Sequence, residues 1–181
     1  AYLFRSENHE TAFKQALARD PKFVVAHINR ARASLAAGRL DEVEAHYQAA
    51  LAVQPGHLGA LLGLAALAEQ RGDAAAVEAW LTKAHAAQPG AVQPTLLLVQ
   101  RALRSGDGVR ALALVNEIPA ESARAPAVLL VKGMAQLGAG DAASAARTLQ
   151  GVVELDPKSI EARFQLGRAQ LATGDFEAAR A

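Results

Sequence analysis

The chain contains 181 residues, with 19 Lys+Arg, 18 Asp+Glu and no cysteine. The missing cysteine excludes disulfides, thiolate metal sites and thiol catalysis from this stretch, and the formal net charge of +1 argues against a nucleic acid or an anionic membrane as the main partner. Alanine dominates the hydrophobic residues, and no apolar run approaches the roughly 20 residues that cross a bilayer. The composition therefore predicts a soluble, nearly all-helical chain without direct membrane insertion.

An internal repeat with a step of 34 residues runs along the chain. Two residue types keep this step independently of each other. The recurring glycines are Gly38, Gly72, Gly106, Gly140 and Gly174. The recurring prolines are Pro21, Pro55, Pro89 and Pro157. An aspartate follows each of these glycines except the first, which is followed by Arg39.

These residue types predict where helices begin and end. Glycine adopts the left-handed backbone that closes a helix, and the aspartate behind it accepts hydrogen bonds from the first free N–H groups of the next helix. Proline ends a helix because it cannot continue the hydrogen-bond ladder. Each unit is therefore expected to contain a helix A, a tight turn at glycine, a helix B and a turn at proline.

In chain order, the register places four full units between two partial ones. We expect a helix B alone in residues 1–23, at about 8–19, and an incomplete unit in residues 160–181. Neither end carries a polar capping helix, so the sequence predicts a piece of a longer array whose apolar ends favour end-to-end self-association. The full units are expected at residues 24–57, 58–91, 92–125 and 126–159.

The third full unit departs from the others after residues 109–117. Prolines stand at Pro119 and Pro126, whereas position 123, where the period calls for proline, is alanine. We expect helix B of this unit to end early and to be followed by a longer loop. Two interpretations stay open, an irregularity in a solvated loop and a hinge between repeats.

The histidines form no catalytic or metal-binding sequence motif. No two of the five histidines stand at the i, i+4 spacing of a helical metal site, and no His-Glu-x-x-His motif is present. His46 and His57 flank a helix B and its turn, so their side chains can lie close together by chance. Gly59 and Gly63 lie within a helix A, so they do not form a phosphate loop. We therefore expect a non-enzymatic chain that holds no cofactor and no metal.

Small residues also recur on helix A, and larger ones fill the space opposite them on helix B. The small set is Ala31, Ala65, Val99, Gly133 and Gly167, and the large set is Tyr47, Leu81, Val115 and Leu149. Together with the glycine turn and the closing proline, this pattern resembles the tetratricopeptide repeat (TPR) family. The resemblance implies an all-α fold, a right-handed α-solenoid of antiparallel helix pairs. The chain departs from the family where helix A usually carries tryptophan, since His27, Leu61, Thr95, Leu129 and Arg163 stand there.

By resemblance to TPR domains, one stripe of each helix A lines a concave wall that binds a protein or peptide partner. The stripe is mostly aliphatic, which suits an amphipathic helix or an extended peptide. The alternative is that further repeats of the protein itself cover the same leucines. The predicted groove residues are Ile28, Arg32, Leu35, Leu62, Glu69, Leu96, Gln100, Leu103, Leu130, Met134, Leu137, Phe164, Arg168 and Leu171.

The Ala/Leu-rich segment from Leu61 to Asp73, with Ala79-Trp80-Leu81 behind it, resembles the TPR lipoproteins of bacterial PEP-CTERM/exosortase and exopolysaccharide systems. This resemblance implies a periplasmic scaffold in the envelope, and a cytoplasmic location is the alternative. The sequence thus predicts a protein–protein interaction scaffold. A non-catalytic segment of a larger enzyme and a passive periplasmic spacer stay open as alternatives. RNA binding is disfavoured because no basic face is evident.

Overall fold

A computed structural model of the protein describes the backbone of residues 2–180 and the side chains of residues 11–179. Within these residues the regular structure is helical throughout, which confirms the all-α prediction. No helix in this range is both long and apolar enough to cross a bilayer. A 3-10 helix, Ala178–Arg180, follows the last α-helix. The α-helices are α1 (Tyr2–Arg19), α2 (Val24–Ala36), α3 (Leu40–Val53), α4 (Leu58–Gln70), α5 (Ala74–Ala87), α6 (Val92–Arg104), α7 (Gly108–Asn116), α8 (Ala120–Ala123), α9 (Pro126–Gly138), α10 (Ala142–Leu155) and α11 (Ile160–Thr173).

The chain divides into two compact units. The first unit ends at Gln88 and contains α1–α5, and the second begins at Pro89 and contains α6–α11. In the first unit α2 packs against α3, and α4 packs against α5. In the second unit α6 packs against α7, and α9 packs against α10. Each of these pairs is a helix A with the helix B that follows it, as the sequence predicts.

Glycine and aspartate build the turn inside each helix pair. The five periodic glycines have φ between 73° and 86°, in the left-handed region that other residues avoid. The Asp73 carboxylate accepts a hydrogen bond from the Ala76 N–H at 2.9 Å, and Asp107 and Asp141 cap α7 and α10 in the same way. Arg39, the exception in the sequence, makes no such side-chain cap on α3. The predicted roles of both residue types are confirmed.

Proline sets the ends of most second helices. The four periodic prolines each lie two residues beyond the end of a helix, after α1, α3, α5 and α10. In the third full repeat the prolines are displaced, and α7 ends at Asn116 after nine residues, compared with 14 residues in α3, α5 and α10. The predicted early end of this helix B is therefore confirmed.

The segment after α7 is largely exposed, as a solvated loop would be, except at Ile118. Ile118 is buried in the core cluster of the second unit, and the short helix α8 follows directly after Pro119. Pro126 then occupies the first turn of α9. Ile118 supplies apolar surface where helix B has already ended, so it anchors the start of the segment to the core.

The two ends of the chain also differ from expectation. Helix α1 begins at Tyr2, although the period predicted a helix B only from about residue 8. Behind Gly174 the predicted helix B is reduced to the 3-10 helix at Ala178–Arg180.

Close approach of helices depends on glycine at two positions. A Cβ on Gly133 would lie 2.5 Å from Leu149 Cγ, so only glycine lets α9 and α10 meet here. Gly63 on α4 lies directly against the Tyr47 ring of α3, where a Cβ would overlap the ring. Burial raises the pKa of Tyr47, which keeps its hydroxyl neutral. The contact of Gly133 with Leu149 confirms the predicted pairing of a small residue on helix A with a larger one on helix B, whereas Gly63 was not among the predicted small residues.

Candidate protein-binding surface

The predicted groove residues lie on the first helices of the repeats, α2, α4, α6, α9 and α11. In the first unit, Arg32 and Leu35 on α2 are exposed, as is Glu69 on α4, and Leu62 is half-buried. Ile28 is only 6% exposed and belongs to the core cluster of this unit. The structure thus places Ile28 inside the repeat, because its side chain fills the space between α2 and the neighbouring helices.

In the second unit, four groove leucines on α6 and α9 are half-buried. Leu96 and Leu103 pack against the cluster that contains Val99 and Ala102. Leu130 and Leu137 pack against the cluster that contains Leu149 and Leu166. Each of these leucines therefore presents part of its surface to solvent while its remainder supports the core. Acidic substitution of Leu96 or Leu130 would damage the fold along with any binding surface.

Helix α11 carries the most exposed apolar groove residues. Phe164 is 61% exposed and Leu171 is 54% exposed, and Arg168 lies between them on the same helical face. The Arg168 guanidinium donates to Gln165 Oε1 at 2.9 Å. Helix α11 also packs against α9. Gln100 on α6 is exposed, and Met134 on α9 is half-buried.

A cavity that the sequence did not predict lies in the first unit. It has a volume of about 660 Å³ and is lined by residues of α3, α4 and α5, among them Leu51, Leu61 and Trp80. The Lys83 ammonium lies 4.3 Å from the centre of the Trp80 ring, a cation–π contact. The sequence signal was a lone tryptophan in an alanine-rich helix, and the cavity it lines depends on packing between helices of successive repeats.

The histidines take structural positions in the first unit. His57 Nδ1 accepts a hydrogen bond from the Ala60 N–H at 3.2 Å and so caps α4. His46 lies against His27, with the two Nδ1 atoms 3.3 Å apart. Burial lowers the pKa of His46, and the positive charge of Arg30 lowers it further. Among the side chains of residues 11–179, no group of three or more His, Asp or Glu residues could hold a metal ion.

Comparison with known proteins identifies the repeats. Residues 24–49 and residues 136–181 each match a family model described as tetratricopeptide repeat. No curated protein matches the chain.

Solved structures with the same fold cover almost the whole chain. YrrB, described as a TPR protein with an unusual peptide-binding site, is 18% identical with a TM-score of 0.79, over 93% of this chain and 87% of that one. MamA from Desulfovibrio magneticus RS-1 is 16% identical with a TM-score of 0.73, over 87% of this chain and 89% of that one. A tetratricopeptide repeat protein from Parabacteroides merdae is 18% identical with a TM-score of 0.57, over 98% of this chain and 70% of that one.

At these identities the likeness shows the fold, an α-solenoid of helix pairs. The family models, the left-handed glycine turns and the small-to-large packing agree with one another. The chain therefore has the fold of tetratricopeptide repeat proteins, and residues 24–49 and 136–181 match models of that family.

Proposed function

We propose that the chain is a protein–protein interaction scaffold, and that the face formed by α9 and α11 binds an amphipathic helix or an apolar peptide. The observation that carries this proposal is the exposure of Phe164 and Leu171 on one face of α11. Arg168 lies between them. Aromatic and arginine side chains dominate the binding energy of protein interfaces, and exposed apolar surface of this kind marks interaction sites.

Helix α9 supplies the floor of the proposed surface. Leu130, Met134 and Leu137 follow one another at the spacing of a single helical face, and all three are half-buried. Leu130 and Leu137 are packed on the core cluster around Leu149, so their positions are fixed before a partner arrives. A preformed floor lowers the entropic cost of binding. The partner would place apolar side chains on this floor and an acidic side chain near Arg168.

The finer features of the proposal have separate support. YrrB is described as having a peptide-binding site, which supports a peptide as the class of ligand for this fold. The bacterial envelope, and within it an exopolysaccharide or protein-sorting system, is supported by the resemblance of the Ala/Leu-rich segment that starts at Leu61. A non-catalytic segment of a larger enzyme and a passive spacer are the competing functions.

A displayed library of helical and extended peptides, selected against the chain, tests the proposal. Selected peptides are then titrated by fluorescence anisotropy against the wild type and the Phe164→Glu/Leu171→Glu variant. We expect the variant to bind at least roughly tenfold more weakly, because two anchors are lost and two carboxylates are placed on the surface.

The matched control is Val109→Glu/Leu155→Glu, which adds the same charge at two exposed apolar residues, 72% and 62% exposed, on the second helices α7 and α10. Its affinity for the peptides should equal that of the wild type. An equal loss in both variants would contradict the proposed surface. A selection that yields no binding peptide would favour the spacer.

A further inference from the structure

Two histidines on paired helices of the first unit turn the same ring atom towards each other. His27 on α2 and His46 on α3 place their Nδ1 atoms 3.3 Å apart. The Nε2 of His27 lies 2.8 Å from the carbonyl oxygen of Pro21. A carbonyl oxygen only accepts, so His27 Nε2 carries the proton and donates it. The Nδ1 of His27 therefore presents a lone pair towards His46, and His46 Nδ1 is the donor between the rings.

The separation of the two Nδ1 atoms equals that of two ligands on one metal ion. In a tetrahedral site with Zn–N bonds of about 2.0–2.1 Å, neighbouring ligand nitrogens lie about 3.3–3.4 Å apart. The hydrogen bond from His27 Nε2 to the Pro21 carbonyl is also the outer contact that metal-bound histidines usually make. It fixes both the tautomer and the orientation of the His27 ring before any ion is bound.

We propose that His27 and His46 form a two-histidine site for a divalent metal ion of the Zn²⁺, Ni²⁺ and Cu²⁺ class. Imidazole nitrogen is a ligand that suits these ions. The ion takes the place of the proton between the two Nδ1 atoms, and His46 keeps that proton on its Nε2, so no proton is lost. Both rings are half-buried, which leaves the remaining coordination positions to water. Since one ligand comes from α2 and the other from α3, the ion clamps this helix pair.

Charges of both signs act on the pair. Arg30 and Glu42 are the charged side chains that act on His46 besides its histidine partner. Glu42 lies one turn before His46 on α3, and its carboxylate accepts from Ser34 Oγ at 2.8 Å and pairs with Arg39 Nε at 3.0 Å. The positive charge of Arg30 opposes a cation at His46 more strongly than the negative charge of Glu42 favours one, so ligation by the two imidazoles has to overcome this repulsion.

Titration of the chelator-treated full chain with Zn²⁺, followed by calorimetry, tests the proposal, and Co²⁺ absorption reports the ligands. We expect one bound equivalent in the wild type. His27→Gln and His46→Gln should each weaken binding by at least about tenfold. His85→Gln, which changes a histidine outside the pair, is the matched control and should leave the affinity unchanged. Far-ultraviolet circular dichroism confirms that each variant is folded.

A rescue variant separates ligation from a purely structural role. His46→Cys places a thiolate at the same position, so it should retain Co²⁺ binding and add a sulfur-to-metal charge-transfer band. Absence of that band, together with normal folding, would overturn the site. Zn²⁺ binding that is equal in the wild type and both glutamine variants would likewise overturn it, because the ion would then be held elsewhere in the chain.

Discussion

The first two helix pairs of the first unit place different side chains at the same pair of repeat positions. His27 and His46 face each other in the first pair, and one period later Leu61 and Trp80 line a single cavity. The glycine turns of the two pairs nevertheless share a φ of 73°. The repeat thus fixes its backbone through the turn residues and leaves this interior pair free to carry either polar or apolar chemistry.

In the second unit, a third combination of residues stands at the same pair of repeat positions. Thr95 stands at the position of His27 and is fully buried, and its hydroxyl donates to the Ala91 carbonyl within its own helix at 3.3 Å. Leu114, at the position of His46, is half-buried and packs on the core. A buried polar group at this position is therefore either satisfied locally, as in Thr95, or paired across the two helices, as in His27.

Truncation of the large buried residue of helix B should cause the largest loss of stability. Leu149→Ala in the second unit should lower the free energy of unfolding by about 2–5 kcal/mol, because the side chain is fully buried and leaves a cavity. Leu81→Ala in the first unit should cost a similar amount if the repeats are equivalent in packing. Chemical denaturation measures both. Leu155→Ala, at an exposed site, should change stability by less than about 0.5 kcal/mol.

Removal of a helix cap should have an intermediate effect on stability. Asp141→Ala should lower the free energy of unfolding by less than Leu149→Ala does, because it removes only the carboxylate that caps α10 through the Ser144 N–H at 3.0 Å. The same hydrogen bond lowers the pKa of Asp141, so this contribution is present above the unfolded pKa and is lost as pH falls through the folded pKa. Denaturation at neutral and acidic pH measures it. Arg39→Ala, where no cap exists, should have the smaller effect, and an equal effect would contradict the capping role.

Lowering the pH should destabilise the first helix pair through His27 and His46, whereas Leu61 and Trp80 at the same positions of the next pair do not titrate. This effect should be smaller than those of the substitutions above. His46 has a pKa below its ordinary value of 6.5, chiefly because of burial. Below that value the unfolded chain binds a proton that the folded chain refuses, so stability falls as pH decreases through the folded pKa. Melting temperatures in the presence of a chelator, from about pH 7.5 to about pH 5, measure this. The variant His27→Leu/His46→Trp, which carries the residues of the next repeat, should lose this part of the pH dependence; an unchanged slope would assign it to other groups.

The sequence predicted the features that one residue type decides locally. Glycine at the turn, aspartate behind it and proline at the end of a helix act within a few residues, and the structure confirms all three. The burial of Ile118 could not be predicted in this way, because it depends on α7 ending early beside a core that needs an apolar side chain. The contact between His27 and His46 was missed because metal motifs are sought within one helix, whereas these rings meet across two.

The sequence likewise predicted the exposure of some groove residues correctly and misplaced another whose position depends on packing. The family register correctly places Phe164 and Leu171 on one exposed face of α11. It also assigned Ile28 to the surface, yet Ile28 packs in the core of the first unit. A register fixes angular position around a helix, but the tilt of that helix and the size of its neighbours decide how deep each side chain lies.

Trp80 gives the molecule a built-in optical reporter. It is the single tryptophan of the chain, and it lies in the first unit with Lys83 over its ring. Its emission therefore follows the unfolding of the first unit, whereas far-ultraviolet circular dichroism follows the helices of both. Coincident curves would mean that the array melts as one cooperative block, and separated curves would give the order in which its repeats come apart.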